Sequence, residues 1–197
     1  MRIHPDSYPP KSLYKLMTSA VLPRPIALVL TKGETGIINV APFSYFNVVT
    51  SAPPRVSISV SKQNGSRKDT ARNLVDTERF VVHVVTTDIL EDVNRTSAAL
   101  PANESELSLT QFSVRQSTEG ALPHILDSPV RFECRLEQTV DFPEAELFIG
   151  RVEAIEIDPR VYDETRGVID TATLAPVARL GGPHYARLGD IITLKRP

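Results

Sequence analysis

The chain has 197 residues, of which 41% are hydrophobic and 23% charged, with a formal net charge of −2 at pH 7. A chain of this length buries a core without disulfide or metal staples, and its composition belongs to a globular rather than a disordered protein. The near-neutral charge argues against a general nucleic-acid binder, no apolar run approaches the ~20 residues of a membrane span, and Cys134, the only cysteine, leaves no internal disulfide to form.

The opening residues Met1–Asp6 lack the apolar run of a secretory leader, so a cytoplasmic location is expected. Residues 1–10 read as an extended, Pro-rich lead-in, and Lys11–Ala20 as a short helix with Leu13, Leu16 and Met17 on one face. Ile26–Thr31 suits a strand buried on both faces. Lys32–Gly36 reads as a turn and Ile37–Ala41 as the returning strand of a hairpin, ended by Pro42. Arg55–Ser61 alternates strictly, with Val56, Ile58 and Val60 on one face and Ser57, Ser59 and Ser61 on the other. Asp69–Val75 reads as a helix introduced by a capping box from Ser66 to Asp69. Arg79–Val85 is a strong strand, and Asp88–Leu100 a helix ended by Pro101. Phe112–Ser117, Val130–Val140 and Leu147–Ile157 are further strands, and Glu144 and Glu146 read as a solvated strand start. Cys134 falls on an apolar face as a buried structural thiol. Residues 168–187 are loop-rich, and Ile191–Leu194 is a last short strand candidate. Strands do not alternate regularly with helices, which argues against a doubly wound parallel sheet and for one closed or partly closed antiparallel barrel domain, mainly β with inserted helices, spanning 1–197.

Four segments could carry chemistry, and each also has a plain structural reading. Pro23–Ala27, including Arg24, Pro25 and Ile26, is held extended by its prolines. It could offer rigid backbone donors and acceptors to a planar ligand, or simply stiffen the lead into a strand. Asn39–Asn47 places Asn39, Ser44 and Asn47 among Ala41, Pro42, Phe43, Tyr45 and Phe46. It reads either as an aromatic core turn or as the edge of a site for an aromatic heterocycle. Ser59–Thr70 joins a hydroxyl-bearing strand to a Gly turn, the cations Arg67 and Lys68, and a helix start carrying Thr70. That is a sound phosphate cradle, or a solvated loop with a helix cap. Arg179–Tyr185 contains Gly181 and Gly182, which allow close backbone approach.

Other chemistries lack support. There is no GxGxxG, CxxC or HExxH, and no histidine pair at metal-ligand spacing. His83 lies mid-strand as a surface or satisfied core residue, and His4 and His124 sit beside prolines with no specific signal. Without a nucleophile or metal site, an enzyme of this sequence would borrow its chemistry from a cofactor.

In this order and spacing, Pro23–Ala27, Asn39–Asn47, Pro53–Pro54, Arg67–Asn73, Phe80–Val82, Arg179–Gly182 and Tyr185 resemble the flavin reductase-like FMN-binding family, which includes flavoredoxins and the reductase components of two-component monooxygenases. The resemblance implies an FMN-binding split β-barrel and a homodimer with FMN near its interface, reduced by NADH or NADPH. A monooxygenase or other electron acceptor would then serve as partner. It implies that Ser59, Ser61, Lys68 and Thr70 lie near the phosphate and ribityl chain, with Arg67 among the cofactor-binding residues. Asn39–Asn47 would border the ring with the backbone of Arg24–Thr31 nearby, and the loop holding Gly182 and Tyr185 would close on the flavin or its partner substrate. His184 is the one histidine near this site, open as a proton donor or as a surface residue. Leu28 and Tyr45 stand where the family often has Trp and Phe. The resemblance leaves an NAD(P)H-dependent flavin reductase, a carrier with tightly held FMN and a non-catalytic flavin binder as readings.

Overall fold

The computed structural model describes residues 1–116 and 122–195. After the lead-in, helix α1 (Pro10–Ala20) starts on a proline, tolerated because the first helical N–H has no intrahelical acceptor. The short strand β1 (Arg24–Pro25) runs into β2 (Ala27–Lys32), which forms the expected hairpin with β3 (Ile38–Phe43). Strands β4 (Phe46–Ser51) and β5 (Pro54–Ser61) follow, then α2 (Asp69–Thr77), β6 (Arg79–Val84) and α3 (Leu90–Arg95). A small hairpin of β7 (Val114–Gln116) and β8 (Pro123–Ile125) precedes the two longest strands, β9 (Val130–Asp141) and β10 (Ala145–Ile157). The C-terminal part holds β11 (Tyr162–Asp163), β12 (Val168–Ile169), α4 (Thr171–Leu174), β13 (Val177–Arg179) and β14 (Tyr185–Arg187).

The main sheet has seven strands in the order β3-β2-β6-β9-β10-β5-β4, with antiparallel neighbours throughout. Its first and last strands, β3 and β4, are consecutive in sequence and separated only by Ser44 and Tyr45. Two residues cannot span an open seven-stranded sheet, so the sheet must curl until its edges approach, giving the split barrel expected from the sequence. Its interior is filled by Val29, Val56, Ile58, Val60, Phe80, Phe148 and Val152, closed at one end by Ala71 and Leu74 of α2. A second core on the outer face gathers Leu28, Leu30, Val40, Val81, Val93 and Ile125. β2 feeds both cores, which is why its first four residues, Ala27–Leu30, are all apolar rather than alternating.

The strands β9 and β10 bend where their register shifts beside Gly150. A Cβ on Gly150 would lie 2.3 Å from the Phe80 ring, so glycine is what lets the barrel wall close over that ring. His83 is the satisfied core histidine: its Nδ1 lies 3.2 Å from the Leu28 carbonyl, and its Nε2 accepts from the Ile125 N–H. Burial lowers its pKa to about 3, so the ring is neutral. Cys134 is buried as expected, and burial pushes its thiol pKa up.

Several local expectations are corrected. Pro42 does not end its strand, because β3 is an edge strand and a proline there need cost no ladder bond. The helix expected over 88–100 is only α3, six residues long, followed by turns. No capping box forms at α2: Ser66 is locked in a turn with Gln63, and Lys68 is the N-cap residue without a side-chain bond. Residues 191–194 form no strand; β14 lies earlier, paired with β13. The expected Phe112–Ser117 strand is seen as β7, with Ser117 outside the described residues. Leu16 and Met17 of α1 face solvent, and Thr18 is the residue that the helix buries.

Candidate functional site

Two cavities meet at Pro42, Phe43 and Ser97, beside the junction of β3 and β4. The larger, of about 630 Å³, runs from that junction to the start of α2. The smaller, of about 240 Å³, lies between α1, β1 and the Arg179–Tyr185 loop.

The end of the larger cavity is built from the Gln63–Ser66 turn and the first turn of α2. The first bond into that helix runs from the Arg72 N–H to the Lys68 carbonyl, so the N–H groups of Asp69, Thr70 and Ala71 lack intrahelical acceptors. No side chain caps them, and the helix dipole adds positive potential there. The Thr70 hydroxyl accepts from the Asn39 amide at 2.8 Å, which leaves its own proton free to be donated.

The cations around this turn differ sharply. Arg67 donates through Nε and Nη2 to both oxygens of Glu146, at 2.7 to 3.0 Å. Glu146 is 1% exposed, on the barrel's inner face, and it raises the Arg67 pKa through that bond. Arg72 pairs with Asp69. Lys68 makes no ion pair among the described residues, so its charge is the one left uncompensated. Of the two cations read from the sequence, Lys68 is thus the free one, whereas Arg67 is largely committed to the fold. The reading of Glu146 as a solvated strand residue is overturned: its side chain points inward in register with Phe148, while Glu144 stays exposed.

Glu106, buried on the same wall, accepts from the Val40 N–H at 2.9 Å and satisfies the open edge of β3. The sequence reading missed it, because a lone glutamate in a polar loop carries no local signal. Asn39, Ala41, Pro42, Ala98, Ala99 and Leu100 also line this cavity.

Around the smaller cavity, Arg24 is 6% exposed and holds three segments together. It donates to the carbonyls of Thr18, Val21 and Leu180 at 2.6 to 2.9 Å, and more weakly to Ser44 Oγ. Gly181 packs against Ser19 of α1, and Gly182 adopts φ +62, a conformation that favours glycine. Arg179 lies 4.5 Å over the Tyr185 ring. Ile26, Ser44, Gly182 and Tyr185 therefore join Arg24 at one cavity.

Other expected residues lie outside both cavities. Thr31 is fully buried, with its hydroxyl accepting from Asn73. The backbone of Ala27–Leu30 is paired on both sides with β3 and β6, so it has no free row of donors for a ligand. Pro25 pairs with Ala178, Phe46 packs on the barrel core, and Tyr45 is exposed. Asn47 accepts through Oδ1 from the Val48 N–H. Ser59 and Ser61 stand on the outward face of β5, in register with Leu147 and Ala145. His184 is exposed and lines neither cavity.

His124, given no role from the sequence, is buried with its ring nitrogens 3.1 Å from Glu133 and 3.2 Å from Glu156. Arg131 and Arg115 also pair with Glu156. This cluster ties β8 to β9 and β10 and lines neither cavity.

Residues 17–173 match the family model described as a flavin reductase like domain. An uncharacterised protein of Bacillus subtilis, YwrF, is 46% identical over 98% of this chain and 97% of its own. Nitrilotriacetate monooxygenase component B from Bacillus cereus superposes with a TM-score of 0.95 at 36% identity, over 98% of both chains. The 2-nitrobenzoate 2-nitroreductase NbaA of Pseudomonas fluorescens superposes with a TM-score of 0.90 at 32% identity, over 100% of this chain and 96% of that one.

Proposed function

The chain belongs to the flavin reductase like domain family, and from that premise we propose that it binds FMN in the larger cavity and reduces it with NADH or NADPH. The observation that carries this reading is the convergence, on one turn, of an uncompensated Lys68, uncapped helix N–H groups and the Thr70 hydroxyl proton. A phosphate monoester is the group that such donors suit, and a cavity of about 630 Å³ is of the size that holds a cofactor.

Bound FMN would supply a centre that accepts a hydride and passes electrons on. The protein's part is to bind, orient and shield. Lys68, Thr70 and the α2 N–H groups would hold the phosphate. Glu106 would accept from hydroxyls of the ribityl chain, and Pro42 with Phe43, which line both cavities, would border the ring. No titrating side chain is required, since backbone and amide donors can stabilise charge that develops on the ring.

An oxygenase or other electron acceptor is the proposed partner, by the likeness to a monooxygenase component B. A homodimer is proposed as the working state. In support, the edge strand β4 exposes Val48 at 67% and Val49 at 44%, and α1 exposes Tyr14 and Met17. Light scattering should return twice the 21.7 kDa chain mass; a mass of 21.7 kDa would overturn the dimer.

The reductase reading is tested by anaerobic mixing of the FMN-loaded protein with NADH and with NADPH. Loss of the flavin's visible absorbance with at least one of them is expected. If FMN stays bound and neither nicotinamide bleaches it, the reductase reading fails and an electron carrier supplied by a protein partner takes its place.

A further inference from the structure

We infer that the smaller cavity is a binding site for a planar carboxylic acid of one-ring size, with Arg179 as the carboxylate-binding residue. The inference rests on the proposed reading in one respect: the flavin occupies the larger cavity and leaves this one for a second ligand.

Charge is the first ground. Ten arginines pair with acidic side chains among the described residues. Arg24 and Arg179 pair with none, and both line this cavity, whose wall contains no aspartate or glutamate. Arg24 is almost wholly buried, and its donors reach only carbonyl and hydroxyl oxygens. Such groups satisfy its hydrogen bonds without cancelling its charge. A buried cation without a counterion favours an anion nearby.

Geometry is the second ground. Arg179 is already oriented: its guanidinium lies over Tyr185, and Nη2 donates to the Gly182 carbonyl at 2.7 Å. Tyr185 is itself tied to Asn94 through its hydroxyl. Nε and Nη1 of Arg179 have no acceptor among the described residues and Nη2 keeps its second N–H, so one planar fork, made by Nη2 with either Nε or Nη1, remains open for a carboxylate. Pre-orientation reduces the entropy lost on binding.

Size and surface make the third ground. Ile26, Pro42, Phe43 and Val93 add apolar surface to the lining that holds the two arginines. About 240 Å³ lies below the usual range for drug-sized ligands, so one ring with a carboxylate suits it and a dinucleotide does not.

The test is calorimetric titration of the FMN-saturated protein with benzoate, salicylate and 2-nitrobenzoate, each against its neutral amide. At least one acid should bind ten-fold or more tighter than its amide, and Arg179→Gln should abolish that preference. Arg179→Lys, which keeps the charge but not the fork, should retain only part of it. The inference is overturned if no acid binds, if acids and amides bind alike, or if the preference survives in both variants. FMN occupancy is read in the same samples by fluorescence quenching. Loss of FMN binding would strike the cofactor reading, whereas failure of the acids with FMN bound would strike this inference alone.

Discussion

Lys68→Ala should separate recognition of the phosphate from stability of the fold. Lys68 is exposed and makes no ion pair among the described residues, so its removal orphans nothing. A surface change of that kind shifts stability by no more than ~0.5 kcal/mol. A charge-assisted hydrogen bond to phosphate contributes about 1.5–3 kcal/mol, which is a loss of roughly 10- to 150-fold in FMN affinity. Riboflavin, which has no phosphate, should bind Lys68→Ala and the parent equally. The neighbouring Arg67→Ala should behave in the opposite way. It leaves Glu146, 1% exposed, without its cation. Breaking a buried pair costs about 3–5 kcal/mol, and because Arg67 is itself 44% exposed the lower part of that range applies. With about 2–4 °C per kcal/mol for a chain of this size, Tm should fall by roughly 6–12 °C. Fluorescence titration with FMN and riboflavin, alongside thermal denaturation, reads both effects. Unchanged FMN affinity in Lys68→Ala, or an equal loss for riboflavin, would refute the assignment of Lys68 to the phosphate.

Three further outcomes follow from the packing. Gly150→Ala should destabilise by about 1–3 kcal/mol in denaturant unfolding, because its methyl would overlap the Phe80 ring; no change in midpoint would refute that. His83 should stay neutral from pH 8 down to pH 5 in an NMR titration, because burial lowers its pKa to about 3. Its folded pKa lies below the unfolded value of 6.5, so its contribution to stability is complete above pH 6.5. As pH falls towards 3 that contribution is lost at about 1.4 kcal/mol per pH unit. A His83 midpoint near 6.5 in the folded protein would contradict its burial. Arg24→Ala should cost about 3 kcal/mol, since the carbonyls of Thr18, Val21 and Leu180 lose their donor together; a loss under 1 kcal/mol in urea unfolding would show that water replaces it.

The strands were the most legible part of the molecule. Ile26–Thr31, Arg55–Ser61 and Arg79–Val85 carry their own periodicity, and each lies within one residue of the observed β2, β5 and β6. Long-range pairing was far less legible. Glu146 reads as solvated because its inward direction is set by register with β5 and β9, and its partner Arg67 lies 79 residues away. His124 looked inert for the same reason, since both of its carboxylate neighbours come from other strands. Of the expected site residues, Asn39, Ala41, Pro42 and Ser44 on β3 and at its exit, with Arg67, Lys68 and Thr70 at the start of α2, line the cavities because local sequence positions them, whereas Tyr45, Phe46 and Asn47 turn away. Ser59, Ser61 and Thr31 do not line the cavities, because their directions depend on how the barrel curls. The helix expected over 88–100 stops at Arg95, where Thr96 and Ser97 turn their hydroxyls to the preceding carbonyls of Val93 and Asn94.

The most direct test of the account is a crystal structure of the protein grown with FMN. The account predicts the phosphate within hydrogen-bonding distance of Lys68 Nζ and the N–H groups of Asp69 and Thr70, with the ring reaching Pro42 and Phe43. A phosphate bound instead at Arg179, or a flavin lying outside the larger cavity, would contradict it.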